Sequence, residues 1–201
     1  NKEVVFEAPS WEENTSVVEF NVSAKKFNDL PFEKTQVSDL ENIYMAMVIG
    51  LRDYVTKNNF PGVILGLSGG IDSAFCAAVA VDALGKDKVN AYMLPSVYTS
   101  KNSLDDAKDC AKRLEIRLDS IPISNTFLSL EDSLEELFKG LPTDITEENL
   151  QSRIRGTILM AISNKIGKML ITTGNKSEVS VGYSTLYGDC LLYTSDAADE
   201  D

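Results

Sequence analysis

The chain has 201 residues, of which 43% are hydrophobic, and a formal net charge of −12 at pH 7. This length suits one domain, or one domain with a fragment of another, and no apolar run is long enough for a transmembrane helix. An acidic chain repels nucleic acid and anionic membranes, so neither is an expected partner. The absence of histidine excludes a Ser-His-Asp triad, a Cys-His pair and histidine-ligated zinc within these residues. Three cysteines without a Cys-x-x-Cys spacing indicate reduced cytoplasmic thiols.

The first long element is predicted to be a helix that begins after a cap at Ser38 and runs to about Asn58. Its apolar residues recur at the i, i+3, i+4 spacing of one helix face. They are Leu40, Ile43, Tyr44, Met47, Val48, Leu51, Tyr54 and Val55. Residues 1–36 are predicted to be irregular, with a short strand at residues 17–22. A Pro-Gly pair separates the helix from the next element.

Buried strands then alternate with helices. The pattern predicts strands at 63–67, 88–94, 117–122 and 168–172, and helices at 72–83, 103–114, 130–138 and from a cap at Thr146 to about Ile166. This alternation predicts an α/β fold with a doubly wound parallel sheet and flanking helices. Ligands of such sheets bind at the carboxyl ends of the strands, so the loops after the first and last of these strands are expected to face one site.

A glycine-rich turn joins the first of these strands to its helix, and its sequence is Gly66-Leu67-Ser68-Gly69-Gly70-Ile71-Asp72-Ser73. Backbone N–H groups at a helix N-terminus bind phosphate without a basic side chain, and glycines let the backbone approach an anion closely. Ser68 and Ser73 add hydroxyl donors. Asp72 is suited to a Mg²⁺ ion lying between its carboxylate and a phosphate. The turn is not a Walker A loop, because no Gly-Lys-Ser/Thr follows.

The pattern Ser-Gly-Gly-x-Asp-Ser resembles the pyrophosphate loop of the ATP pyrophosphatases, which split ATP between its α and β phosphates and adenylate a substrate oxygen. A second polar turn, Thr173-Gly174-Asn175-Lys176-Ser177-Glu178, follows the last strand. Thr173 is a candidate nucleotide contact, and Glu178 is a candidate second ligand of the Mg²⁺ ion. Asn149 and Arg153 lie at i, i+4 on the preceding helix and suit a phosphate-bearing substrate. Arg155 is interpreted as part of a solvated helix face.

The chain resembles the synthetase domain of the glutamine-dependent NAD synthetases over about residues 30–189. The resemblance rests on the colinear stretches Gly50–Val55, Gly66–Ser73, Asp82–Gly85, Met93–Ser96, Asn149–Gly156 and Thr173–Asp189. The smaller ammonia-dependent synthetases have lysine where this chain has Leu186, which favours the two-domain form. The resemblance implies a fold like that of the adenine nucleotide alpha hydrolases, truncated at the C-terminus.

This resemblance implies a ligase reaction in which ATP adenylates the nicotinate carboxylate of deamido-NAD and releases pyrophosphate. Ammonia, supplied from glutamine by another domain, then displaces AMP to give NAD, so no protein nucleophile is needed. The implied ligands are, for ATP, Gly66 to Ser73 and Thr173; for Mg²⁺, Asp72 and Glu178; and for deamido-NAD, Asn149, Arg153 and Glu178. A cytoplasmic homo-oligomer is expected for the full-length enzyme.

The resemblance also divides the chain into segments. Residues 1–30 resemble the end of a nitrilase-like glutaminase domain, and residues 31–189 an incomplete synthetase. Residues 190–201 resemble the translation of a transposase adapter used in DNA sequencing, so the native sequence is expected to stop at about Asp189. Without the glutaminase residues and the later substrate residues, the fragment is expected to be inactive.

Two other interpretations stay open. The first is another pyrophosphate-loop ligase, such as one that makes GMP or thiolates tRNA; the acidic charge and the lack of paired cysteines disfavour tRNA thiolation. The second is a module that binds ATP without turnover, which would not need the two metal carboxylates Asp72 and Glu178. Cleavage of ATP only in the presence of deamido-NAD distinguishes the NAD synthetase interpretation from both.

Overall fold

The computed structural model describes residues 4, 6–28, 37–174, 177, 180–181, 185 and 187–188. The chain forms two compact units, Asn1–Gly50 and Leu51–Asp201. The first unit carries a short antiparallel hairpin of β1 (Phe20–Asn21) and β2 (Lys26–Phe27), whose two phenylalanine rings meet edge to face with centroids 5.0 Å apart. Only part of the strand predicted at residues 17–22 is therefore formed.

The first helix confirms the sequence prediction to within one residue. Helix α1 spans Asp39–Lys57, and the Ser38 hydroxyl accepts a hydrogen bond from the Glu41 N–H at 3.2 Å. Acidic residues occupy its first turn and Lys57 its last, which complements the helix dipole at both ends.

The second unit contains a four-stranded parallel sheet. Its strands are β3 (Val63–Gly66), β4 (Val89–Met93), β5 (Arg117–Ser120) and β6 (Met169–Ile171), in the order β5-β4-β3-β6. The central strand β3 is an apolar run with Val63, Ile64 and Leu65 fully buried, as expected for a strand that is covered on both faces.

Four helices connect these strands: α2 (Ile71–Leu84), α3 (Lys101–Arg113), α4 (Ser124–Phe138) and α5 (Ile145–Ile166). Helix α4 begins well before the predicted residue 130, because the polar residues at its start precede Phe127, which is 3% exposed and packs in the core.

The predicted helix cap at Thr146 is wrong. Asp144 is the N-cap of α5, and its carboxylate accepts a hydrogen bond from the Thr146 N–H at 2.8 Å. The Glu147 carboxylate accepts in return from the Asp144 N–H at 2.9 Å, which completes a capping box. Thr146 lies inside the helix, and an acidic cap with glutamate three residues later satisfies two backbone donors where a threonine cap would satisfy one.

Two apolar cores cover the two faces of the sheet, which confirms the doubly wound arrangement. One core joins alternate residues of β3 and β4 to α2 and α3, where small alanines such as Ala77, Ala80 and Ala107 allow close packing. The other core joins the intervening strand residues to α4 and α5. Across the described part of the chain, the helices are too short or too polar to span a bilayer.

Candidate functional site

The candidate site lies at the carboxyl end of β3, where the chain turns into α2. The Leu67 N–H still donates to the Tyr92 carbonyl at 2.9 Å, so the turn begins one residue beyond the strand. Gly70 is the N-cap of α2 and has no side chain to accept from the first turn of the helix. The positive end of this helix therefore faces the turn with backbone donors, which is the arrangement that binds phosphate.

A cavity of about 190 Å³ opens at this point. Seven of the nine residues predicted to bind ATP line it, namely Gly66, Leu67, Ser68, Gly70, Asp72, Ser73 and Thr173. Thr173 reaches the cavity from the loop after β6, which pairs directly with β3. The loops after the first and last strands therefore line one cavity, as the sequence predicts, and its role as a binding site stays a prediction.

Gly69 shapes the turn through a close backbone contact and a positive φ of 86°. A Cβ atom at this position would lie 2.3 Å from the carbonyl oxygen of Ser103, in the first turn of α3. Atoms other than hydrogen do not approach so closely without displacement, so only glycine fits. Gly69 therefore does not line the cavity but holds the turn against α3.

Two serine hydroxyls hold the turn from within. The Ser73 hydroxyl donates to the Gly70 carbonyl at 3.0 Å and accepts from the Ser68 N–H at 3.2 Å. The Ser68 hydroxyl accepts from the Gly70 N–H at 3.2 Å and lies 3.1 Å from the Ser73 hydroxyl. Since the Ser73 proton is used on Gly70, the contact between the two hydroxyls makes Ser68 the donor to Ser73. The exposed Ser68 hydroxyl can donate to a ligand only by turning its proton away from Ser73. Ser73, which is 2% exposed, acts mainly as a brace for the turn.

The polar surface of the cavity has both charges. Asp72 supplies the only carboxylate and Arg155 the only cation among the described residues that line it. Burial, together with the charge of Asp72, raises the pKa of the nearby Cys76 thiol on α2. This thiol therefore stays protonated at neutral pH and is no candidate nucleophile.

The remaining predicted residues lie elsewhere. Ile71 is 80% exposed and is not among the described residues lining the cavity. Asn149 and Arg153 on α5 are likewise not among the described residues that line the cavity. The Asn149 side-chain oxygen accepts a hydrogen bond from the Thr185 hydroxyl at 2.8 Å. Glu178, predicted to bind both substrate and metal, falls outside the described residues.

Arg155 was missed by the sequence interpretation, which assigned it to a solvated face. In the structure Arg155 is half-buried and lines the cavity, whereas Arg153 is exposed. Gln151 and Leu159 lie four residues before and after Arg155 on the same helix face, and both are buried, so Arg155 lies on a face that points inward. Because glutamine is polar, the sequence around Gln151 does not identify this face as buried. The other lining residues that were missed are apolar: Tyr92, Leu94, Leu159 and Ile171.

A second cavity of about 240 Å³ adjoins the first at the carboxyl end of β4. Leu67, Ser68, Leu94 and Arg155 line both cavities, so the two are neighbouring parts of one cleft. The second part is completed by residues after β4 and from the start of α3.

Comparisons with known proteins are consistent across sequence and structure. The family model described as NAD synthase matches residues 43–193. A curated glutamine-dependent NAD(+) synthetase from Rhodobacter capsulatus is 51% identical over 187 residues, which are 92% of this chain and 34% of that protein. A solved glutamine-dependent NAD+ synthetase from Acinetobacter baumannii, in complex with ADP, superposes with a TM-score of 0.88 at 45% identity, over 93% of this chain and 35% of that one.

A solved NH3-dependent NAD synthetase from Campylobacter jejuni, in complex with the nitrate ion, has a TM-score of 0.68 at 32% identity. The match covers 76% of this chain and 64% of that one. The chain thus spans about a third of the length of the glutamine-dependent relatives it matches. The chain is thus similar in structure both to a glutamine-dependent and to an NH3-dependent synthetase.

Proposed function

Because the chain belongs to the NAD synthase family, we propose that it forms the ATP-using part of a glutamine-dependent NAD synthetase. One observation carries this proposal: the glycine-rich turn before α2 and the Thr173 loop after β6 line a single cavity. Two loops far apart in sequence thereby supply the two kinds of group that an ATP pyrophosphatase needs, namely backbone donors at a helix N-terminus and polar side chains in the same cavity. The proposal assigns residues 31–189 to this function.

ATP binds with its phosphates at the turn. Gly70 leaves the first turn of α2 open to the anion, and the hydrogen bonds of Ser73 hold the turn in shape before the ligand arrives. The Ser68 hydroxyl and Thr173 add side-chain contacts from the two loops that line the cavity. Such a preformed set of donors stabilises charge as it develops on the leaving pyrophosphate, since the dipoles need no reorientation.

The donor set at the cavity fits Mg²⁺. Asp72 presents an exposed carboxylate beside the phosphate-binding turn, and carboxylate oxygen is the ligand that Mg²⁺ prefers. Among the described residues no group of three or more ligating side chains forms a closed metal cage. This suits an ion that takes most of its ligands from phosphate and water. Asp72 would hold the ion, with Glu178 as its second carboxylate, and the ion would supply neutralisation of the phosphate charge.

Deamido-NAD is the proposed acceptor. Asn149 and Arg153 project from α5 one helical turn apart, and an amide with a guanidinium suits a dinucleotide that carries a pyrophosphate. Glu178 is proposed to complete this contact. In the first step a carboxylate oxygen of deamido-NAD attacks the α-phosphorus of ATP and pyrophosphate leaves. In the second step ammonia attacks the acyl carbon, AMP leaves and the amide of NAD is formed.

The chain's own residues contribute positioning and charge rather than a nucleophile. The described cysteines are free, and the pKa values of both thiols are raised by burial. Holding the two substrates together lets an enzyme reach large rate accelerations without covalent catalysis. Ammonia is proposed to come from glutamine, as the names of the longer relatives indicate, and the complete enzyme is proposed to be a homo-oligomer.

The test is pyrophosphate release by the complete gene product with Mg²⁺, ATP and deamido-NAD, with NAD measured by chromatography. Release that depends on deamido-NAD, with NAD formed from glutamine, is expected. Asp72→Asn should abolish it, whereas the exposed Asp87→Asn, which removes the same charge from the surface, should not. Release with a different acceptor, such as the precursor of GMP, would keep the ATP chemistry and overturn the substrate assignment.

A further inference from the structure

The Arg155 side chain crosses from α5 to the carboxyl end of β4. Its Nε–H donates to the carbonyl oxygen of Leu94 at 3.2 Å. This bond fixes the guanidinium at the junction of the two neighbouring cavities, both of which it lines. A guanidinium has five N–H donors in a rigid plane, so one bond to Leu94 leaves four for other partners.

Arg155 forms no ion pair within the part of the chain that the structure describes. Six ion pairs are formed there, and none includes Arg155. All six lie on exposed side chains, whereas Arg155 is half-buried beside the apolar Leu94 and Leu159. A partly buried cation without a counter-ion is unfavourable unless an anion joins it, and the planar fork of arginine matches phosphate oxygens.

We infer that the Arg155 guanidinium binds the phosphate chain of the nucleotide. This inference rests on the proposed function, since that function places phosphates in the cavity. Arg155 and the turn before α2 line the same cavity, so nucleotide phosphates bound there contact both the backbone donors and the guanidinium. The Leu94 carbonyl acts as the positioning group that keeps the guanidinium in place. A guanidinium held in this way favours bidentate contacts to adjacent phosphate oxygens.

The first experiment compares nucleotide affinities by calorimetry on the full chain and on Arg155→Gln and Arg155→Lys. Loss of a charged hydrogen-bond partner weakens ATP and inorganic pyrophosphate binding by roughly 10- to 100-fold in Arg155→Gln. Arg155→Lys, which keeps the charge but not the fork, should lose less. Adenosine, which has no phosphate, should bind all three proteins equally. The control Arg113→Gln removes an exposed arginine on α3 and should leave every affinity unchanged.

The outcomes separate the two levels of inference. Absence of ATP binding to the wild-type chain would overturn the proposed function and this inference with it. Binding of ATP with equal affinity by wild type and Arg155→Gln would overturn this inference alone. An equal loss of adenosine and ATP affinity in Arg155→Gln would also overturn it, because Arg155 would then only support the Leu94 segment.

A second measurement needs no variant and stands even where Arg155→Gln does not fold. Phenylglyoxal modifies exposed arginines, and mass spectrometry locates each modified residue. Inorganic pyrophosphate is expected to slow modification of Arg155 and to leave modification of Arg113 unchanged. Equal rates at Arg155 with and without pyrophosphate would overturn the inference.

Discussion

Replacing Gly69 with alanine tests whether the contact between α3 and the turn that is proposed to bind phosphate shapes the site. The new Cβ would lie 2.3 Å from the Ser103 carbonyl oxygen, so the turn or the first turn of α3 must move. The positive φ of 86° adds backbone strain of about 1–2 kcal/mol for a residue with a Cβ. Forcing an atom into such a packed position adds about 1–3 kcal/mol. The expected loss of folding free energy is therefore about 2–5 kcal/mol.

Gly140→Ala is the matched control. Gly140 has a φ of 83°, and a Cβ there meets nothing within 4 Å. It therefore carries the backbone strain without the clash, and about 1–2 kcal/mol of stability should be lost. Urea unfolding followed by circular dichroism gives both values. ATP affinity, measured by calorimetry on the folded proteins, should fall at least tenfold in Gly69→Ala, because displaced N–H groups no longer meet the phosphates, and should not change in Gly140→Ala.

Equal destabilisation of the two variants would refute the reasoning, because the Ser103 contact would then add nothing to the backbone strain. Unchanged ATP affinity in a clearly destabilised Gly69→Ala protein would refute the second step. The turn would then tolerate displacement without losing its donors.

Three further changes test other parts of the molecule. In Asp72→Asn, Mg²⁺ is expected no longer to strengthen ATP binding, whereas ATP affinity without metal stays equal or increases, because an amide neither holds the ion nor repels phosphate. Calorimetry with and without Mg²⁺ measures both affinities. ATP binding that Mg²⁺ still strengthens in the variant would contradict the prediction. Asp144→Ala should lower the melting temperature more than Asp144→Asn, which keeps an acceptor for the Thr146 N–H. Hydrogen bonds from the Thr146 side chain and from its backbone N–H lower the pKa of Asp144. Their stabilisation is present at neutral pH and is lost as the pH falls through the lowered pKa. A difference in melting temperature between wild type and Asp144→Ala that does not shrink as the pH falls would argue against the cap. Burial and the charge of Arg117 lower the pKa of Lys168, so the folded chain binds fewer protons than the unfolded chain between the lowered pKa and the ordinary lysine pKa. The free energy of unfolding of wild type, relative to that of Lys168→Met, should therefore rise with pH between these two values. A relative free energy that falls with pH in this range would contradict the lowered pKa.

Local patterns predicted most of the secondary structure, because each strand is a short apolar run and most helices have an evident apolar face. The start of α4 could not be read this way. Its first turn is polar, and what makes it helical is the burial of Phe127 against α5 and the sheet, a tertiary contact that a local pattern does not contain. The order β5-β4-β3-β6 likewise depends on packing between distant segments.

The sequence predicted the part of the cavity lining that depends on a backbone turn. It did not predict the part that depends on the direction of a single side chain, Arg155. The turn from Gly66 to Ser73 has a constrained sequence because glycines and a helix start are required at fixed positions. Arg155 has no such local requirement. Its inward direction follows from the burial of Gln151 and Leu159 on the same face, and a buried glutamine looks like a surface residue in a sequence. The binding roles of all the predicted site residues, including Asn149, Arg153 and Glu178, stay predictions.

The position of β3 between β4 and β6 has a consequence for the chain while it is being synthesised. Val63 pairs with Met169, so β6 emerges roughly one hundred residues after β3. At about 5–20 residues per second, a ribosome needs about 5–20 s to supply it. During that interval one edge of β3, the most apolar strand, has unpaired N–H and C=O groups that another nascent chain can pair with. Thr173 lies two residues after β6, so the cavity that it lines is completed only when this edge closes. If ATP binds there as proposed, it cannot assist the earlier stages of folding.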